Sequence, residues 1–253
     1  MASVSLFDVV NSLDALLRTP EVPDYPNALN GLQLENGGRV GKVVCAVDAC
    51  LPVIEQAVEA GADLLVVHHG LFWSGLQRLA GPAYRKVRRA VEGGLAVYSS
   101  HLPLDIHPEH GNNVILANLL GLSGPEPFFP WKNILLGVRG ETEAGRADFV
   151  ERVAQVVEAR VHLCPGGPER VRRVGVVTGG AGGEIAALAA TGVDTVVTGE
   201  GPHWSYTAAE ELGVNLIYAG HYATETFGVK SLGAWLETTF GLPWSFLHHP
   251  SGL

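Results

Sequence analysis

The chain has 253 residues, 47% of them apolar, enough to bury one large core or two smaller ones. A formal net charge of -9, spread without long single-sign runs, argues against general binding to nucleic acid or anionic membranes. No uninterrupted apolar stretch reaches the roughly 18 residues of a membrane span, and Met1 to Asp8 hold neither a basic leader nor a long apolar core.

Taken in chain order, residues 42–48 and 61–67 read as buried strands around a helical segment at 51–60. A second helix is expected at 83–92 and a third strand at 95–101. The same order then returns. Strands at 173–179, 192–198 and 215–221 echo the first three, with helices expected at 184–190 and 206–212. Residues 148–160 form an amphipathic helix pattern with Phe149, Val153, Val156 and Val157 on one face. Continuous apolar strands alternating with helices predict an α/β fold: two pseudo-repeated α/β domains with mainly parallel sheets. The proline-rich stretch 124–130 marks the expected boundary, giving domains 1–127 and 128–253, with the C-terminal segment packing back on the first. Cys45, Cys50 and Cys164 show no CxxC spacing and fit buried thiols in a reducing cytoplasm.

The chemistry collects where these strands end. His68-His69 closes the run Leu64-Leu65-Val66-Val67, and His101 with Asp105 and His221 with Glu225 close two further strands at one shared spacing. In open parallel sheets ligands bind outside the carboxyl ends of strands, so the three groups can meet at one edge. Adjacent strand residues point to opposite faces, so His68 and His69 are expected to serve different ions. In a helical turn, residues four apart share a face, which lets each His-x3-carboxylate pair converge. Glutamate has the reach to bridge two cations, making Glu225 the bridge candidate, while the shorter Asp105 serves one ion. His101 is either a ligand or an orienting group for water, and His203 is a candidate acid or base. Imidazole plus carboxylate suits two divalent ions per subunit, drawn from zinc, iron, manganese, cobalt or nickel. The loop Gly179-Gly180-Ala181-Gly182-Gly183, between a strand and a helix, is either an anion nest for phosphate or a plain turn.

Asn30-Gly31-Leu32-Gln33, His68-His69-Gly70, residues 99–105, the loop at Gly179, Thr198-Gly199-Glu200 and the run Gly220 to Glu225 together resemble the NGG-interacting-factor-three-like family. Its members are often labelled GTP cyclohydrolase I type 2 homologues, and the resemblance spans nearly the whole chain. It implies two intertwined α/β domains, a dinuclear metal centre in the cleft between them, and a ring-shaped homohexamer built as a trimer of dimers. By the same resemblance His68 and Asp105 ligate one ion, His69 and His221 the other, Glu225 bridges, and His101 lies close to the metals. The activity expected is that of a cytoplasmic metal-dependent hydrolase acting on a nucleotide or phosphorylated small molecule. Ring opening at a purine C8 with release of formate and hydrolysis of a phosphoester would use the same ligands. The alternative is a ring-shaped metal-binding regulatory or interaction protein without catalysis.

Overall fold

The computed structural model describes residues 3–75 and 77–252. Its contacts gather the chain into two units, Met1–Leu104 with Gly228–His249, and Asp105–Phe227 with Pro250–Leu253.

In unit 1, β1 (Val4–Ser5) leads directly into α1 (Leu6–Leu17). The Ser5 hydroxyl caps the helix by accepting from the Asp8 amide at 3.4 Å, and Leu6, Val9, Leu13 and Leu17 form its buried stripe. Two short strands follow, β2 (Gly31–Leu34) and β3 (Arg39–Val40). Then come β4 (Val43–Asp48), α2 (Leu51–Glu59), β5 (Leu64–His69), α3 (Gly81–Glu92) and β6 (Ala96–Ser99). β4, β5 and β6 pair in parallel, with Val44 opposite Leu65 and Leu65 opposite Val97. Alternate residues feed two separate cores. Val43, Cys45, Leu64, Val66 and Tyr98 join α1, Val229 and Leu232 on one face, while Val44, Ala46, Leu65 and Val97 join Val53, Ile54 and Ala90 on the other. Burial on both faces is why these strands read as unbroken apolar runs.

Unit 2 begins at the end of a single helical turn, α4 (Leu102–Asp105), and continues through α5 (Asn112–Leu119). A long hairpin, β7 (Ser123–Trp131) and β8 (Ile134–Gly145), precedes α6 (Arg146–Val157) and β9 (His162–Pro165). The second repeat then runs through β10 (Arg170–Val176), a 3-10 turn at Ala181–Glu184, α7 (Ile185–Ala190), β11 (Thr195–Thr198), α8 (Trp204–Leu212) and β12 (Asn215–Tyr218). The sheet order is β7-β8-β10-β11-β12-β9, with a parallel centre and antiparallel margins. After α9 (His221–Thr224), the helix α10 (Thr226–Phe240) returns the chain to unit 1. There β13 (Trp244–Phe246) pairs in parallel with β4 and completes the order β13-β4-β5-β6-β2.

The duplication is visible in the strands. β4-β5-β6 and β10-β11-β12 are both parallel triplets, and each carries an antiparallel neighbour on its last strand, β2 and β9 respectively. The boundary expected at residues 127 and 128 falls inside β7, and the division comes at Asp105 instead. Prolines interrupt central strands but are tolerated at a sheet margin, which is where β7 lies, so Pro125 and Pro127 mark an edge strand and not a linker. Among the described residues, no helix is long and apolar enough to cross a membrane.

Candidate metal-binding site

In unit 1 the candidate donors sit at the carboxyl ends of parallel strands. His68 and His69 are the last two residues of β5, and His101 follows β6 by two positions; all three are buried. Each imidazole is held through Nδ1 by an oxygen acceptor. His68 Nδ1 lies 2.9 Å from the Ser100 carbonyl oxygen, His69 Nδ1 2.9 Å from Asp48 Oδ1, and His101 Nδ1 2.8 Å from Asp24 Oδ1. Carbonyl and carboxylate oxygens can only accept, so Nδ1 carries the proton in each ring and the lone pair of the neutral imidazole falls on Nε2. This is the arrangement by which proteins orient histidine ligands for a metal.

Strand alternation predicts that His68 and His69 serve separate ions; their ring centroids are 4.8 Å apart. One nitrogen from each of His68, His69 and His101 lies within 4.8 Å of the others. The strand ends at His69, and the two rings are anchored to different neighbouring strands, His69 to the last residue of β4 and His68 to the residue after β6. Trp73 completes this wall, stacked on His69 at 4.7 Å and tilted against His101 at 4.4 Å between ring centroids. Burial works to raise the Asp24 carboxyl pKa, but hydrogen bonds from His101, Asn30 and the Leu102 amide outweigh it and hold the group below its ordinary value.

In unit 2, Thr178 and Gly179 follow β10, Thr178 reaching Asp105 and Gly179 lying against Glu225. Asp105 Oδ1 accepts from Asn112 Nδ2 at 2.8 Å and from Thr178 Oγ1 at 3.4 Å. Gly179 donates its amide to Thr224 Oγ1 at 3.1 Å, fixing the turn that leads to Glu225. Gly179 has φ 72, and a Cβ there would collide with Glu225 Oε1. His221 Nδ1 lies 2.8 Å from Glu200 Oε1 and its Nε2 3.2 Å from Glu225 Oε1, so this fourth histidine also turns Nε2 toward the donor side. Burial alone would lower the His221 pKa, but Glu225 and Glu200 more than offset it and push it up to about 9. Glu225 itself is 2% exposed.

The amides of Gly179, Ala181 and Gly182 donate to Thr224 Oγ1, Thr198 Oγ1 and the Glu200 carbonyl at 3.1, 3.1 and 3.0 Å, so these three of the glycine loop's five amides serve to hold the turn. His203, the candidate acid or base, is exposed at the start of α8. Four residues that sequence reasoning missed now matter: Asp24, Asp48, Trp73 and Thr178. Asp48 was within reach, since it ends a repeated strand in register with His69. Asp24 gives no local signal, lying 77 positions before the histidine it holds.

The fold and these groups define an α/β protein with histidine and carboxylate clusters able to hold a metal ion. The chain belongs to the Duf34/NIF3 (NGG1p interacting factor 3) family, whose profile matches residues 4–250. A Deinococcus radiodurans protein named GTP cyclohydrolase 1 type 2 homolog is 42% identical over 248 residues, 97% of this chain and 94% of that protein. The crystal structure of TTHA1606 from Thermus thermophilus is 40% identical with a TM-score of 0.90, covering 99% of this chain and 100% of that one. The protein ybgI, described as of unknown function, is 31% identical with a TM-score of 0.92 and the same coverage.

Proposed function

We propose that the protein is a dinuclear-metal-dependent hydrolase acting on a nucleotide or phosphorylated small molecule. In this reading His68 and Asp105 hold one divalent ion, His69 and His221 hold the other, Glu225 bridges, and His101 serves beside them. Zinc, iron, manganese, cobalt and nickel all suit such ligands. The observation that carries the reading is the common anchoring of His68, His69, His101 and His221, each with Nδ1 on an oxygen acceptor at 2.8–2.9 Å. Histidines that only fill space need no such uniform orientation; histidines that bind metal do.

Two divalent ions would supply Lewis acidity and water activated for attack near neutral pH. The chain's own residues do the rest. Asp24, Asp48 and Glu200 keep the proton on Nδ1 of His101, His69 and His221, and Asn112 and Thr178 aim Asp105. Five ligands shared by two ions leave positions for water and substrate, which favours catalysis over a purely structural role. The naming of the relatives supports GTP as the first nucleotide to try. We also propose assembly as a homohexamer, a trimer of dimers, which light scattering on the purified protein would report as a mass of six chains.

The test is metal analysis of the protein purified without added metal or chelator, beside Glu225→Ala, followed by a screen of GTP, other nucleotides and phosphoesters with manganese, zinc or iron. High metal content in the parent, loss in the variant and turnover of one substrate class are expected. Equal and low metal content in both proteins would remove the site. Bound metal with no turnover across the screen would favour the metal-binding regulatory or interaction protein instead.

A further inference from the structure

The motif Asn30-Gly31-Leu32-Gln33 has none of the histidines or carboxylates assigned above, yet two of its side chains reach the loops that bear the unit 1 histidines. Asn30 Oδ1 accepts from the His101 main-chain amide at 2.8 Å, and its Nδ2 donates to Asp24 Oδ2 at 2.8 Å. Asp24 grips the same loop, with Oδ1 at 2.8 Å from His101 Nδ1 and Oδ2 accepting from the Leu102 amide at 2.9 Å. Ring and backbone of His101 are therefore fixed together.

Gln33 works on the other loop. Its Oε1 accepts from the Leu71 amide at 2.7 Å, two residues after His69, while Nε2 donates to the carbonyls of Ala28 and Leu29 at 3.1 and 3.0 Å. Gly70 lies so close to the Gln33 amide that a Cβ would strike it. Between these clamps Leu29 adopts φ 42 while 54% exposed, a left-handed conformation that is costly for leucine and brings it little burial. Such strain persists where the surroundings over-determine a functional geometry. The positioning carboxylates also differ: the Asp24 side chain is 7% exposed, against 40% for Asp48 and 45% for Glu200.

We propose that Asp24, Asn30 and Gln33 are positioning residues of the metal site, holding His101 and the turn after His69 in one arrangement before any ion arrives. The ligand in this inference rests on the metal reading above; the positioning itself does not.

Asp24→Asn in the full chain is the test. Among the described residues, His101 Nδ1 and the Tyr25 amide face Oδ1 of this carboxylate and Asn30 Nδ2 and the Leu102 amide face Oδ2, so the new NH2 meets a donor on either side. In imidazole nitrogen–proton correlation spectra of the metal-free protein, His101 should show the Nδ1–H tautomer, and the variant should lose it. Cobalt(II) titration against a chromophoric chelator should show affinity falling about 10- to 100-fold in the variant, with partial recovery in Asp24→Glu. Gln33→Leu should weaken cobalt binding in the same direction and carries the test if Asp24→Asn does not fold. An unchanged tautomer, with cobalt affinity within about twofold of the parent in both variants, would overturn the proposal. If the parent takes up no cobalt, the metal reading fails and the tautomer spectrum alone decides the positioning role.

Discussion

Glu225 Oε1 lies 3.2 Å from Nε2 of His221, on a ring whose Nδ1 is 2.8 Å from Glu200 Oε1. The two carboxylates overcome burial and raise the His221 pKa to about 9 from an ordinary 6.5, so the metal-free protein holds this ring as a cation at neutral pH. A folded-state pKa above the unfolded one adds stability that is fully present below pH 6.5 and is lost as pH rises through 9. Urea unfolding of the metal-free protein across that window should show falling stability, and Glu225→Gln should flatten the fall. A flat profile in the parent would contradict the assignment.

The proton on His221 Nε2 also competes with a metal for the same lone pair. Zinc affinity should therefore rise roughly tenfold per pH unit while that single proton is displaced, and level off above about pH 9. Competition titrations at several pH values measure the slope. A slope near zero would show that His221 does not take part.

Gly179→Ala should harm the site more than the fold. It forces a side chain into φ 72 and sets a methyl against Glu225 Oε1. The conformational strain alone costs about 1–3 kcal/mol, readable as a lower urea midpoint. Metal content per folded molecule should fall as well, because Glu225 has to move.

Phe149→Ala supplies the contrasting case. Phe149 is fully buried in the core of unit 2 beside Val153 and Val174, and its truncation should cost about 3–5 kcal/mol. Metal content per folded molecule should remain that of the parent. Loss of metal in this variant at low temperature, where it stays folded, would show that core and site are coupled more tightly than the contacts indicate.

Much of this architecture was legible because burial on both faces leaves unbroken apolar runs. Residues 42–48 and 173–179 announced β4 and β10, and the repeated order announced the two parallel triplets. The histidines were legible because they interrupt those runs with polar side chains at strand ends. What stayed hidden was set by long-range pairing. Asp24 meets His101 across 77 positions, and Thr178 meets Asp105 across 73. Periodicity is local and cannot report such contacts. The prolines of β7 misled for a related reason: a sheet margin and a linker both tolerate proline, and only the neighbouring strand, β8, distinguishes them.

Those prolines have a consequence for the molecule in a crowded solution. A sheet margin with a full row of amide hydrogens is a template on which another chain's strand can dock and begin a fibril. Pro125, Pro127 and Pro130 carry no amide hydrogen, and Pro127 and Pro130 lie at positions of opposite parity in the ladder with β8, so β7, the strand that ends the unit 2 sheet, presents an incomplete row of donors. The long hairpin of β7 and β8 is thus poorly suited to recruit a stray strand along that border, which guards the sheet against aggregation.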